Sequence, residues 1–157
     1  MDRSRGAASP RLSGSEQDLD KFRSQVSEFN MGITTELMTF TVRSGKEVRA
    51  EEWMSILQSR RAECIATLDR EHMHHECIFK SFRDGRMRLS WFELRGIKGA
   101  HVRTSSNDVD ELHMAFWGEC IDPDVPPETF EHVLSLMPVE VQRAVDERET
   151  SLLRSDL

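Results

Sequence analysis

The stretch Glu76–Glu93, ECIFKSFRDGRMRLSWFE, constrains the fold more than any other part of the chain. Asp84-Gly85 sits between two alternating runs. A two-residue type I′ turn needs positive φ at both central positions, and Asp-Gly supplies them. With the loop there, Arg83 faces Arg86, Phe82 faces Met87, Lys80 faces Leu89, Ile78 faces Trp91 and Glu76 faces Glu93. His74 and Arg95 come next on that face. The other face carries His75, Cys77, Phe79, Phe92 and Leu94, with Ser81 and Ser90. A hairpin with one wet face alternates cleanly between apolar and polar. Here both faces are substantially apolar, so cover is expected on both.

The flanking elements follow from their patterns. Ile33–Arg43 is rich in Thr and alternates at Met38, Phe40 and Val42, which predicts a strand. A long helix is expected from about Val48 to Arg70, with Trp53, Leu57, Cys64, Ile65 and Leu68 on one face and Ile56 at its margin. Arg60 and Arg61 fall on that face or its edge. They either snorkel into water or turn inward toward a carboxylate or an anionic ligand. After Gly96, Ile97–Val102 reads as a short helical piece. Ser106 or Asn107 reads as the N-cap of a second helix, with Asp108, Asp110 and Glu111 near its positive end. Its stripe is Leu112, Ala115, Phe116 and Glu119, with Val109 before them and His113 at the edge. The DPDVPP loop at 122–127 stops it. Phe130–Met137 fits a final strand or a short helix, which periodicity does not separate. Pro138 opens a C-terminal helix through about Arg148.

Residues 1–14 have little to bury and are expected to form a disordered tail. Leu19, Phe22, Val26 and Phe29 give Ser15–Asn30 the spacing of a short amphipathic helix. The domain reading is therefore a 1–14 tail followed by a single α+β domain, 15–157. The element order is that of the ferredoxin-like split βαβ with an antiparallel sheet, plus extra N- and C-terminal helices. Its open sheet face calls for a partner. Two subunits that stack their sheets, as in a dimeric α+β barrel, would cover both faces of the hairpin.

Several classes are disfavoured. A net charge of −7 argues against nucleic acid as a partner. No apolar run approaches the roughly 20 residues of a membrane span. The N-terminus has basic residues with no apolar stretch after them, unlike a secretory signal. Cys64, Cys77 and Cys120 are too few and too scattered for a disulfide framework, and read as reduced thiols in a cytoplasmic protein. There is no nucleophile elbow, Walker loop or dinucleotide fingerprint.

The segments RRAECIATLDREHMHHECIFKSF and SSNDVDELHMAFWGEC, with the hairpin between them, carry a resemblance. Over about Trp53 to Cys120 the chain resembles an uncharacterised family of small bacterial proteins, a domain of unknown function. The resemblance rests on Arg61, Glu63, Thr67, Leu68, Glu76, Phe79, His113, Phe116 and Glu119. It implies the ferredoxin-like fold and supplies no activity. The hairpin bears tryptophan where the family suggests tyrosine.

The candidate site lies where charge meets covered surface. His72-Met73-His74-His75 invites a metal, but zinc would need further ligands such as His101, His113, Glu76 or Glu93. No cofactor is assigned, with heme and a metal ion left open. His113 is either a packed core histidine or a general acid or base. Glu76 and Glu93 lie directly opposite each other. The pair frays into water, is neutralised by Arg61, Arg95 or His74, or shares a proton. The expected function is proton-transfer chemistry on a small molecule, in a pocket between sheet and helices of a homodimer. His113, Glu76 and Glu93 are the expected catalytic residues, and Arg61, Trp91, Ile78, Trp117 and Trp53 the substrate-binding ones. The alternative is a non-catalytic ligand-binding or protein-interaction dimer.

Overall fold

The computed structural model describes residues 32–97 and 107–155, all within the unit Met31–Leu157. The expected tail, the Ser15–Asn30 helix, His101 and most of the Ile97–Val102 piece lie outside the described residues. Those described form an α+β structure with a four-stranded antiparallel sheet and four helices. In chain order they are β1 (Thr34–Thr41), α1 (Glu47–Ser59), α2 (Arg61–Thr67), β2 (Met73–Arg83), β3 (Arg86–Arg95), α3 (Asp108–Cys120), β4 (Glu128–Thr129) and α4 (Val139–Ser155). The strands lie in the order β2-β3-β1-β4.

The hairpin has the register expected of it from Arg83↔Arg86 back to Glu76↔Glu93. Asp84 and Gly85 take φ of 52° and 75°, both in the left-handed region. The register then slips. A bulge between Met73 and His75 pairs Met73, not His74, with Arg95. The extra residue, His74, is held instead by the Glu149 carboxylate of α4 at 3.0 Å.

The single helix expected over Val48–Arg70 is broken at Arg60. Arg60 leaves helical geometry, with φ −97° and ψ 23°. Its N–H still bonds Ile56, while its carbonyl accepts the N–H groups of Glu63 and Cys64 and so starts α2. Its guanidinium reaches Glu63 and, 48 residues along the chain, Asp108 at 2.8 Å. That long-range ion pair explains why this arginine, and not Arg61, turns toward carboxylates.

One sheet face and the helices enclose the core of Val42, Ala50, Trp53, Met87, Leu89, Trp91, Phe116, Cys120 and Ile121. On α3 the buried positions are Val109, Asp110, Phe116 and Cys120, while Ala115, expected in the stripe, is exposed. The opposite sheet face is covered in part. Thr39, Thr41 and Leu94 are buried there and Phe79 is exposed.

The last strand is only Glu128–Thr129, and Phe130–Met137 is neither strand nor helix. The pairing Met38↔Thr129 and Thr39↔Glu128, continued, would set Glu131 opposite Glu36. Glu36 already faces Glu93, which faces Glu76. A fourth carboxylate in that row is repulsive, and directly opposed like charges destabilise a sheet. The Pro138 carbonyl accepts the N–H groups of Val141 and Gln142 at the start of α4. That helix runs past Arg148 to Ser155.

Candidate functional site

Alternation along β1, β2 and β3 sends Met38, Phe40, Ile78, Leu89 and Trp91 to one sheet face. Between that face and helices α1, α2 and α3 lies a cleft of about 1090 Å³. Met54, Leu57, Met114 and Trp117 complete an apolar half. Thr67, Glu71, Glu76, Glu93, Arg95 and Asp110 form a polar half.

His113 borders the apolar half. Its ring centroid lies 5.1 Å from that of Trp53, 6.2 Å from Trp117 and 6.3 Å from Trp91. Among the described residues its imidazole makes no hydrogen bond. Removal from water disfavours the charged ring and pushes its pKa down to about 4. At neutral pH His113 is therefore an uncharged imidazole, able to donate from one nitrogen and accept at the other.

The polar half gathers carboxyl groups from three elements. Glu93 pairs with Arg95 at 2.6 Å. Of the outcomes open to the Glu76/Glu93 pair, Arg95 thus takes one member. The Glu76 carboxyl is raised above the ordinary range, first by burial and then by the charge of Glu93, against hydrogen bonding from Trp91. Glu71 sits in the turn after α2 and is 8% exposed. Burial, then the charges of Asp110 and Glu76, push it up to about 7. Its near cation, Arg70, lies 3.4 Å away but binds Asp110 more closely, at 2.7 Å. One guanidinium shared between two buried carboxyls leaves Glu71 under-compensated.

Glu76, Glu93, His113, Arg61, Ile78, Trp91 and Trp117 all line this cleft. Arg61 is exposed at its edge. Trp53 does not line it. It is fully buried behind the wall, 5.6 Å from Trp91, and its indole N–H has no partner among the described residues. Sequence reasoning missed Glu71 altogether. It treated Asp110 as a helix-terminus charge, although Asp110 and His113 stand one turn apart on α3. The available signal was a carboxylate in a turn two residues before a strand whose first residue, Met73, is buried.

The histidine run serves another purpose. His72 Nδ1 and His74 Nε2 lie 3.3 Å and 3.0 Å from the carboxylate of Glu149 on α4. The Ile97 N–H donates to the same group at 3.2 Å. Among the described residues no set of three or more His, Cys, Asp or Glu side chains is arranged to hold a metal ion. Nor does any described helix have the length and apolarity to cross a membrane.

This α+β scaffold with a mixed cleft defines a class that has a name but no assigned activity. The chain belongs to DUF6176, a family of unknown function whose model matches residues 33–143. All the cleft residues fall inside that match, which is wider than the Trp53–Cys120 resemblance, and Glu149 falls outside it. No curated protein and no solved structure matches the chain.

Proposed function

We propose that this protein is a small-molecule enzyme carrying out proton transfer in the cleft, by isomerisation, cyclisation, dehydration or cofactor-independent oxygenation. The carrying observation is Glu71, buried in a cleft of about 1090 Å³ with its pKa pushed up to about 7. A group that is half ionised near neutral pH is suited both to take and to return a proton. In an isomerisation, ionised Glu71 removes a proton from a carbon beside a ligand carbonyl. Protonated Glu71 returns it to another atom of the same ligand, so no co-reactant enters. In this reading Glu76, biased toward its protonated form, and neutral His113 would hydrogen-bond the developing oxyanion. Arg61 anchors an anionic group at the cleft edge, and Trp91, Ile78 and Trp117 hold the apolar body, with Trp53 behind them.

The scaffold reading is the ferredoxin-like split βαβ. The strand order β2-β3-β1-β4 and the helical crossovers after β1 and β3 support it. Its homodimer, a dimeric α+β barrel, would cover Phe79 and its neighbours on the second sheet face. A cytoplasmic location belongs to the same reading.

The test is proton exchange. Small carbonyl compounds and organic acids are screened for binding by ligand-observed NMR, and the binders are incubated in D2O. The expected result is deuterium incorporation next to a carbonyl that is lost in Glu71→Gln. Binders that exchange no proton, or exchange it equally in the variant, would favour the second reading, a non-catalytic ligand-binding or interaction dimer. The exposed apolar stretch from Phe130 to Val141 is what recommends that alternative.

A further inference from the structure

Glu71 reaches the cleft from a turn, and that turn is held from outside the cleft. After α2 the Met73 N–H donates to the Leu68 carbonyl at 2.8 Å and the His72 N–H to the Asp69 carbonyl at 3.1 Å. This pair of bonds closes a helix on a residue in the left-handed region, a position that glycine usually takes. Here it is His72, with φ 49°. Glycine enters that region freely, whereas a residue with a side chain persists there only when its surroundings hold it. His72 is 1% exposed, and its Nδ1 lies 3.3 Å from Glu149 Oε1.

Consecutive residues of α4 grip the turn on both sides of Glu71. Arg148 pairs with Asp69, two residues before it. Glu149 holds His72, one residue after it, and His74 at the bulge. The His72 carbonyl accepts the Gly96 N–H at 2.8 Å, which ties the turn to β3 as well. None of the described residues of α4 lines the cleft. Glu71 does line it, while the adjacent His72 is turned to α4.

Glu71 needs such a hold. The charged groups facing it are Asp110 of α3, Glu76 of β2, Arg95 of β3 and its neighbour Arg70. Arg70 binds Asp110 more closely, and the charges of Asp110 and Glu76 repel an ionised Glu71. A carboxyl that loses its hydration and meets like charges moves to water unless its backbone is fixed.

We infer that Glu149 is a positioning residue: through His72 it clamps the left-handed turn and so keeps the Glu71 carboxyl inside the cleft. The inference rests on the proton-transfer reading of Glu71 given above and adds what holds that group in place.

Carboxyl titration by 13C NMR tests it on the full chain, in wild type, Glu149→Gln and His72→Gly, with Glu71→Gln to assign the Glu71 signal. Glycine suits φ 49°, so His72→Gly keeps the backbone of the turn and removes only the ring. Circular dichroism checks folding, and if Glu149→Gln does not fold, His72→Gly decides alone. The expected wild-type midpoint of Glu71 is about 7, and in both variants it should fall toward 4.5 by at least about one pH unit, a tenfold change in proton affinity. Glu76, which the clamp does not touch, should keep its raised midpoint. A Glu71 midpoint that stays near 7 in either folded variant overturns the positioning role and leaves the proton-transfer reading standing. A parallel fall of Glu76 marks a general loosening and likewise overturns the role. A wild-type Glu71 midpoint of 4.5 overturns the role and the proton-transfer reading together.

Discussion

Glu149 and Glu71 are both buried carboxyls, at 0% and 8% exposure, and the chain treats them in opposite ways. Glu149 is fully buried and receives the Ile97 N–H, His74 Nε2 and His72 Nδ1 within 3.3 Å. Arg148 donates to His74 Nδ1 at 2.9 Å. Arginine only donates, so Nδ1 is the acceptor and Nε2 carries the proton given to Glu149. Even the backbone makes room, since a Cβ on Gly96 would fall 2.1 Å from a Glu149 oxygen. Glu71 has no such shell. It shares Arg70 with Asp110 and also feels the like charge of Glu76. A buried carboxylate surrounded by donors holds elements together. One buried among like charges is poised to exchange a proton.

The comparison breaks most readily at Glu149. Glu149→Ala leaves His72, His74 and the Ile97 N–H facing a void. Removing one partner of a buried charged network costs about 3–5 kcal/mol. Urea denaturation should show a loss of that size, and Gly96→Ala should lower the midpoint too. A loss under about 1 kcal/mol would mean that α4 adds little to the fold.

Glu71→Gln should act in the other direction. The folded pKa of about 7 exceeds the ordinary 4.5. The folded chain therefore holds a proton that the unfolded chain releases. The stability linked to this group is fully present below 4.5 and is lost as pH rises to about 7. Glutamine titrates nowhere, so the variant should gain about 2–3 kcal/mol over wild type at pH 8 and nothing at pH 4.5. Equal curves at both pH values would remove Glu71 from the proton-transfer reading.

His74 sharpens the contrast from the acid side. Burial, then the Arg148 charge, lowers its pKa from 6.5. Its neutral form favours the folded state, so its contribution is present above pH 6.5 and is lost as pH falls below that. A protonated ring would also turn a second N–H toward Arg148. Urea midpoints measured against pH should fall on the acid side in wild type and flatten in His74→Gln. The smallest effect should be at the exposed Lys80–Glu51 pair, where Lys80→Ala should cost under about 1 kcal/mol.

Much of the scaffold was legible because its signals are local. Asp84-Gly85 sets a turn by its own backbone preferences, and counting outward from it pairs Glu76 with Glu93. The cleft wall of Ile78, Trp91 and Trp117 followed from two simple periodicities. Legibility stopped where a residue answers to another far along the chain. The bulge at His74 depends on Glu149, and the break at Arg60 accompanies its pairing with Asp108.

By itself, then, the sequence determined the first strand, the hairpin and its register, the helices that carry Trp53 and Phe116, and a carboxylate pair on a covered face. These follow from steric preferences and hydrophobic spacing that act over a few residues. Only the tertiary structure decided that Glu71 joins the cleft, that Arg95 takes Glu93, that the histidines bind Glu149 and that β4 stops before Glu131. Each of those depends on desolvation and on charges summed over neighbours from separate elements, and no local pattern records which neighbours folding brings together.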